Sequence, residues 1–343
     1  MNFNQYKHEY RELASKVNFS ESLVEMQLMY AEKLFNNKVA IIYDPTHLSE
    51  LLGISLEYLY GVANSPSFYY RKQSLKKKNG NIRHLNVPLP LLKETQKWIV
   101  DNILTSLETS IYTKAYKKGF SIKSNAKFHR NQSTVINIDI SNYFGNIYFE
   151  DIYFIFRRLG YYNNVSVLLA KLCCLDDVLP QGSPSSPMLS NLATIKLDNR
   201  LSSFAKKINA RYSRYSDDIT FSGDLDPRRV VPAIKKIIED EEFEVNNEKV
   251  KVRYFYQKQI VTGIIVNERM RVEKSELKKL RQEVYYIKKY GLENHFLNSA
   301  NSNLYQNKDK YKEALLGRLG HASFISPHND VIKGYFSYIK SLS

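Results

Sequence analysis

Arg214-Tyr215-Ser216-Asp217-Asp218-Ile219-Thr220-Phe221 places two adjacent carboxylates between two runs that can form strands. Ser and Asp favour turns and tolerate bends, so a polar hairpin turn accounts for the pair taken alone. A second stretch changes the reading. Residues 134–140, TVINIDI, are apolar apart from Asn137 and Asp139. A buried strand should not end in a carboxylate unless its edge opens onto water or a cation. If the two strands are neighbours, Asp139, Asp217 and Asp218 face one another, and acids so crowded raise one another's pKa. A divalent cation removes that penalty. A few carboxylate oxygens suit Mg²⁺, which keeps water and substrate phosphates as its other ligands. Two such ions activate a hydroxyl and stabilise the leaving oxygens of an in-line displacement.

The chain has 343 residues, enough for two or three packed units with a substantial core. Its 50 Lys and Arg outnumber 35 Asp and Glu, a formal charge of +15 that folding does not require. A polyanion partner is the simplest use of such an excess, with solubility as the competing one. The two cysteines, Cys173 and Cys174, are adjacent in VLLAKLCCLDDVL. They read as buried and lack metal-ligand spacing, which suits a reducing compartment. No apolar run approaches a membrane span and no basic leader precedes one, so a cytoplasmic protein without a membrane partner is expected.

Helical periodicity runs through the N-terminal region, with Leu23, Met26, Tyr30 and Leu34 on one predicted face. Two brief helices are expected on either side of Gly53. Asn79-Gly80, set between strand-forming runs in FYYRKQSLKKKNGNIRHLNVP, predicts a basic hairpin. A helix through LLKETQKWIVDNIL should turn Leu92, Gln96, Ile99 and Ile103 to one side. YFEDIYFIFRRLG reads as another helix. The Gln181-Gly182-Ser183-Pro184 turn then leads into a long amphipathic helix with Leu189, Leu192, Leu197, Leu201, Phe204 and Ile208 inward. RYSRYSDDITFSG is a hairpin, VVPAIKKIIEDEEF a helix, residues 245–268 strands with turns, and the chain from Glu273 mostly helix. This alternation predicts a mixed α+β core.

Four of these stretches, in this order, resemble the motifs of a reverse transcriptase. Tyr215-Ser216-Asp217-Asp218 resembles its active-site hairpin, which normally reads Tyr-x-Asp-Asp, and INIDISNYF around Asp139 resembles its first catalytic strand. LPQGSPSSPMLSNL resembles the nucleotide-facing loop and helix, and KKKNGNIRHLNVP with LLKETQKWI resembles the fingers segment. The resemblance covers residues 68–268 and implies a right-hand polymerase fold. Its parts would be an N-terminal helical region over 1–67, fingers over 68–134 with further elements in 153–180, a palm over 135–268, and a helical thumb over 269–343. Asn125-Ala126-Lys127-Phe128-His129 and Val261-Thr262-Gly263 are similar to signature segments of bacterial retron reverse transcriptases, which associate the polymerase with its own structured RNA. Ser216 stands where those enzymes more often have Ala; it adds a hydroxyl and leaves both carboxylates in place.

The resemblance implies roles residue by residue. Asp139, Asp217 and Asp218 would be the catalytic acids holding two Mg²⁺ ions. Phe144 would lie under the sugar of the incoming nucleotide and exclude a ribose 2′-hydroxyl, whereas Tyr143 reads as core. Arg83 and the Lys76-Lys77-Lys78 run, Lys78 in particular, would contact the triphosphate, Arg through a rigid donor fork and Lys as a mobile charge. Gln181 and Gly182 would line the nucleotide pocket. Lys249 is a candidate for protonating the leaving pyrophosphate; its neighbours Lys251 and Arg253 could serve backbone binding instead. Asn125, Ala126, His129, Val261, Thr262 and Gly263 would favour one cognate RNA. EKSELKKLRQEVYYIKKYG interleaves basic residues with Tyr285, Tyr286 and Tyr290, groups that follow a nucleic-acid backbone and stack on bases or pack as an ordinary amphipathic thumb helix.

The implied reaction is attack by a template-positioned hydroxyl on the α-phosphorus of a deoxynucleoside triphosphate. In retrons the first such hydroxyl is the 2′-OH of an internal guanosine in a structured noncoding RNA, and the product is single-stranded DNA branched from RNA. Retron membership further implies antiphage defence with a separately encoded effector. Alternatives are a stand-alone defence, diversity-generating or intron-derived reverse transcriptase, against which the two signature segments weigh. A non-catalytic RNA-binding scaffold is another, but it has no physical need for three crowded acids.

Overall fold

The computed structural model describes residues 2–76 and 82–342. They form a mixed fold of helices and small antiparallel sheets, in two units. One unit takes residues 1–116, 140–201 and 234–245; the other takes 117–139, 202–233 and 246–343. Neither is continuous along the chain, so each is held by contacts between segments distant in sequence.

The first unit is mainly helical. In helix Glu21–Asn36 the buried stripe is Val24, Leu28, Ala31 and Leu34, with Tyr30 beside it. Met26 is 53% exposed, so the predicted face was set off register. Helices Pro45–Leu52 and Leu56–Asn64 start at Asp44 and Ser55, whose side chains accept from the amides of His47 and Tyr58. Gly53, at φ +64, closes the first of them in the left-handed conformation that glycine adopts without strain. Strands β1 (Tyr70–Lys76) and β2 (Ile82–Pro88) pair antiparallel from Tyr70↔Pro88 to Lys76↔Ile82. The expected Asn79-Gly80 tip lies outside the described residues.

Helix Pro90–Ile99 continues through a π turn, Val100–Leu104, and Leu92, Gln96, Ile99 and Ile103 are all fully buried. A buried amide needs partners. Gln96 Nε2 donates to Tyr70 Oη and to the Leu172 carbonyl, each at 2.8 Å, while its Oε1 accepts from Ser183 Oγ at 2.7 Å. The segment expected as one long helix is two, Ser186–Ala193 and Ile195–Lys207. Thr194 interrupts it, its hydroxyl bonding back to the Ser190 carbonyl at 2.7 Å in competition with regular helix geometry. Leu189, Leu197 and Leu201 are buried, whereas Leu192, Phe204 and Ile208 are only half-buried.

The second unit is organised around four strands: β3 (Thr134–Asp139), β4 (Arg211–Tyr215), β5 (Asp218–Gly223) and β6 (Lys251–Tyr254). Their order across the sheet is β4-β5-β3-β6, all antiparallel. The two inner strands carry Val135, Ile136, Ile138, Ile219 and Phe221, all buried. Strands β7 (Ile260–Val261) and β8 (Ile264–Ile265) form a separate short hairpin. Helices Lys274–Tyr290, Leu292–Leu297, Lys308–Ile325 and Asp330–Ser341 follow.

One apolar core runs from the sheet into these helices, joining Val135, Ala126 and Val261 to Leu280, Val284 and Leu319. Beside it Arg318 bonds Glu276 and Glu283, each at 2.8 Å. Leu280 is fully buried in this core. Leu280→Ala should therefore lower the unfolding free energy by about 2–5 kcal/mol in urea titration. The exposed neighbour substitution Lys278→Ala should stay within about 0.5 kcal/mol of the parent.

Candidate active site

Asp139 is the last residue of β3 and Asp218 the first of β5, and the antiparallel register sets them directly opposite each other. Strands β4 and β5 are joined by Ser216 and Asp217 alone, because Tyr215 pairs with Asp218. Ser216 takes φ +60 to make so short a link. Arg214, fully buried, donates from Nη1 to the Ser216 carbonyl at 3.1 Å. The hairpin thus presents Asp217 and Asp218 at the same sheet end as Asp139.

Electrostatics follow from this register. Asp218 keeps one edge open to the cleft, but the surrounding walls limit its hydration. That desolvation, together with the Asp217 and Asp139 carboxylates, pushes its pKa up to about 7 against the opposing pull of Lys249 and Lys251. Asp139 is largely buried, and its Oδ1 accepts from Lys249 Nζ at 2.7 Å. Lys249 is delivered by the short 3₁₀ turn Asn247–Lys249, anchored where the Asn246 amide donates to the Asp139 carbonyl at 2.9 Å. A cleft of about 250 Å³ opens here, lined by Asp139, Asp218, Lys249, Lys251, Thr262 and Gly263 among others.

Among the described residues, no three acidic, histidine or cysteine side chains converge as a ready-made metal cage. The donor set is nevertheless of the kind a hard divalent cation takes. It is all oxygen, Asp218 lies against two further carboxylates, and the lysine paired with Asp139 is more than half exposed.

The two signature segments converge on this sheet from behind and beside it. His129 is fully buried, with Nδ1 at 2.7 Å from Ser222 Oγ on β5 and Nε2 at 2.8 Å from Ser213 Oγ on β4. Ser213 Oγ also donates to Asn125 Oδ1 at 2.6 Å. Ala126 and Val261 belong to the apolar core, and Thr262 Oγ1 donates to the Ile122 carbonyl at 3.1 Å. Thr262 at φ +45 and Gly263 at φ +80 turn the β7–β8 hairpin. The side chains of Asn125, Ala126 and His129 are enclosed by protein, whereas Thr262 and Gly263 reach the acidic cleft.

The remaining candidates lie in the first unit. Gly182, at φ +127, packs so closely on the hairpin that an added Cβ would stand 2.7 Å from the Asn86 carbonyl oxygen. The Asn86 amide donates to the Gln181 carbonyl at 2.8 Å, tying this turn to β2, which carries exposed Arg83. Phe144 sits half-buried in the 3₁₀ turn Tyr143–Asn146, its ring edge-on to Tyr143 at 5.3 Å. Tyr143 is core, as expected, and donates to the Ser190 carbonyl at 3.2 Å. Lys78 lies outside the described residues.

Sequence reading passed over Arg214, Ser213 and Ser222. The alternation of β4 and β5 held the only signal: polar residues at positions that a strand flanked by apolar neighbours buries. It also passed over Thr220, whose Oγ1 accepts from Asn137 Nδ2 at 3.2 Å across the sheet beside the cleft.

A sheet whose inner strands end in opposed carboxylates, beside a lysine and a short acidic hairpin, suits the binding of a divalent cation with phosphate oxygens. The family model for reverse transcriptase (RNA-dependent DNA polymerase) matches residues 75–286, and the chain belongs to that family. It is 31% identical over 261 residues to the retron Ec86 reverse transcriptase of Escherichia coli, covering 74% of this chain and 81% of that one. It is 28% identical over 282 residues to the retron Mx162 reverse transcriptase of Myxococcus xanthus, covering 71% and 58%, and 27% identical over 293 residues to the retron Ec73 reverse transcriptase of Escherichia coli, covering 79% and 88%. Within the family, it is a bacterial retron reverse transcriptase. A solved telomerase from Candida albicans, in complex with a fragment of telomeric RNA, aligns over 79% of this chain and 60% of that one at TM-score 0.45 and 12% identity, too distant to define domain arrangement.

Two outcomes follow from the geometry. Asp218 ionises near 3.8 when unfolded and near 7 when folded, so its contribution to stability is present at low pH and lost as pH rises through about 7. In EDTA, Asp218→Asn should therefore raise the melting temperature at pH 8 and raise it less at pH 5. His129→Leu should leave the Ser222 hydroxyl unpaired, take from Ser213 one of its two partners, and lower stability by about 1–3 kcal/mol, read by urea unfolding.

Proposed function

We propose that the enzyme reverse-transcribes a cognate structured noncoding RNA, primed from the 2′-OH of an internal guanosine, and yields single-stranded DNA branched from that RNA. The observation that supports this reading most is the opposition of Asp139 and Asp218 beside Asp217 and Lys249. In this reading residues 68–134, with elements in 153–180, act as fingers, 135–268 as palm and 269–343 as thumb. Asp139, Asp217 and Asp218 would hold two Mg²⁺ ions. When bound, these supply the positive charge that activates the attacking hydroxyl and stabilises the leaving oxygens.

The chain's own groups account for the rest. The hydroxyl oxygen bonds to the α-phosphorus of a deoxynucleoside triphosphate, the bond to the bridging oxygen breaks, and the hydroxyl proton is lost. Lys249, which pairs with Asp139, gives its proton to the departing pyrophosphate in this reading. Arg83 and Lys78 bind the triphosphate, and Gln181 and Gly182 line its pocket through backbone closely packed on the hairpin. Phe144 blocks a ribose 2′-hydroxyl. Asn125, Ala126 and His129 favour the cognate RNA by holding the β4–β5 hairpin and the Val261-Thr262-Gly263 turn in place, and Thr262 and Gly263 face the cleft. No helix among the described residues is long and apolar enough to cross a membrane. The reading assigns the reaction to the cytoplasm, in antiphage defence with a separately encoded effector.

Expressed with its native flanking locus, the protein should copurify with RNA carrying covalently attached DNA. Separate RNase and debranching treatments followed by sequencing should find a 2′-linked guanosine at the junction. The Asp217→Asn/Asp218→Asn protein should retain RNA with no attached DNA; normal DNA synthesis by that variant would remove the catalytic assignment. Phe144→Val should raise the ratio of ribonucleotide to deoxyribonucleotide incorporation in primer extension. An unchanged ratio would return Phe144 to a packing role.

A further inference from the structure

The second unit contains a larger cavity, of about 690 Å³, among its C-terminal helices, with no part in the chemistry above. Tyr286 and Tyr290, one helical turn apart, line it together with His295 on the next helix. Their rings form a near-parallel series: Tyr286–Tyr290 at 6.2 Å and 21°, and Tyr286–His295 at 5.9 Å and 20°. Tyr290 is half exposed, so the series is open at its outer end.

Polar groups rim the same cavity. Asn294 Nδ2 donates to the Tyr290 carbonyl at 3.1 Å and Asn298 Nδ2 to the Asn294 carbonyl at 2.9 Å. Backbone carbonyls only accept, so both amides are fixed in orientation and their Oδ1 atoms remain as acceptors. His295 Nε2 is buried with no hydrogen-bond partner. Burial holds the imidazole below its ordinary pKa and therefore neutral near pH 7. Glu283, also in the lining, is already taken by Arg318 and Tyr311. The helix bearing Tyr286 has six Lys and Arg against two Glu. A flat aromatic series with free acceptors matches the chemistry of a single-stranded base, and Lys289, whose Nζ lies 5.0 Å from the Tyr290 ring centre, supplies a cation for its phosphate.

We propose that this cavity receives one unstacked nucleobase of a bound RNA, stacked on the Tyr286–Tyr290 series and held at its exocyclic amino group by Asn294 and Asn298. The inference rests on the reading of the chain as an enzyme that works on RNA. It predicts preference for a loop base carrying an amino group, adenine over uracil.

The probe is an RNA hairpin with 2-aminopurine at one loop position and fluorescein at its 5′ end, titrated with the full-length protein. Fluorescein anisotropy reports binding, and 2-aminopurine emission reports stacking. With the parent protein, emission should fall at saturation. Tyr286→Leu should bind about tenfold more weakly and show no fall at its own saturation, whereas Tyr286→Phe should behave as the parent. Asn298→Leu, at an exposed rim position, should lose the preference for an adenine loop over a uracil loop.

Unchanged quenching in Tyr286→Leu overturns the proposal. If that variant fails to fold, retention of the adenine preference in Asn298→Leu overturns it instead. Full binding by the parent protein without quenching also overturns it and leaves the cavity to a protein partner. Primer extension on the same preparation separates the two readings: an active enzyme that does not quench loses only the pocket, and a protein that neither binds nor extends RNA loses both.

Discussion

Two carboxylates held opposite each other across an antiparallel ladder are an unfavourable arrangement, and the four-stranded sheet of the second unit is arranged around that constraint. Asp139 and Asp218 occupy one register position on β3 and β5, with Asp217 in the adjoining turn. Desolvation first, and the Asp217 and Asp139 carboxylates after it, raise the pKa of Asp218. Lys249 relieves Asp139 through a contact that is half exposed and so easily exchanged. A site of this kind carries a demand for positive charge, which a divalent cation has the chemistry to meet.

Rigidity behind the acids comes from a different source. His129 bonds Ser213 and Ser222 on the two strands of the acidic hairpin, and Asn125 bonds Ser213 again. These groups are buried, where hydrogen bonds are costly to lose. From the same helix Ala126 enters a core that also contains Val261 and the interior of the C-terminal helices. Residues that resemble a retron signature thus tie the acidic hairpin, the cleft wall and the C-terminal helices into one packed body. The enclosed side chains thereby decide where Thr262 and Gly263 stand at the cleft.

The first unit poses a similar question of close approach. Gly182 at φ +127 leaves no room for a Cβ against Asn86, and the Gln181 carbonyl receives the Asn86 amide. The loop is thereby fastened to the hairpin that carries Arg83. Glycine is required here by both backbone conformation and contact.

The sequence by itself determined the local elements and the chemical class. A short apolar run marked β3, a Ser-Asp turn between strand-forming runs marked the acidic hairpin, and helical spacing marked the helix through Leu92, Gln96 and Ile99, since these are properties of nearby residues. Order among four separated motifs pointed to a reverse transcriptase, and the match over residues 75–286 bears that out. Where several faces were equally apolar the pattern failed. Met26 was assigned inward although Val24 and Leu28 define the buried stripe, and Thr194 ended a helix that hydrophobic spacing alone would continue. Only the tertiary structure decided that Asp139 meets Asp218, that Lys249 pairs with Asp139, and that His129 lies beneath β4 and β5. Strand register, burial of a polar side chain and the pKa of a carboxylate depend on groups many residues away, so no local pattern carries them.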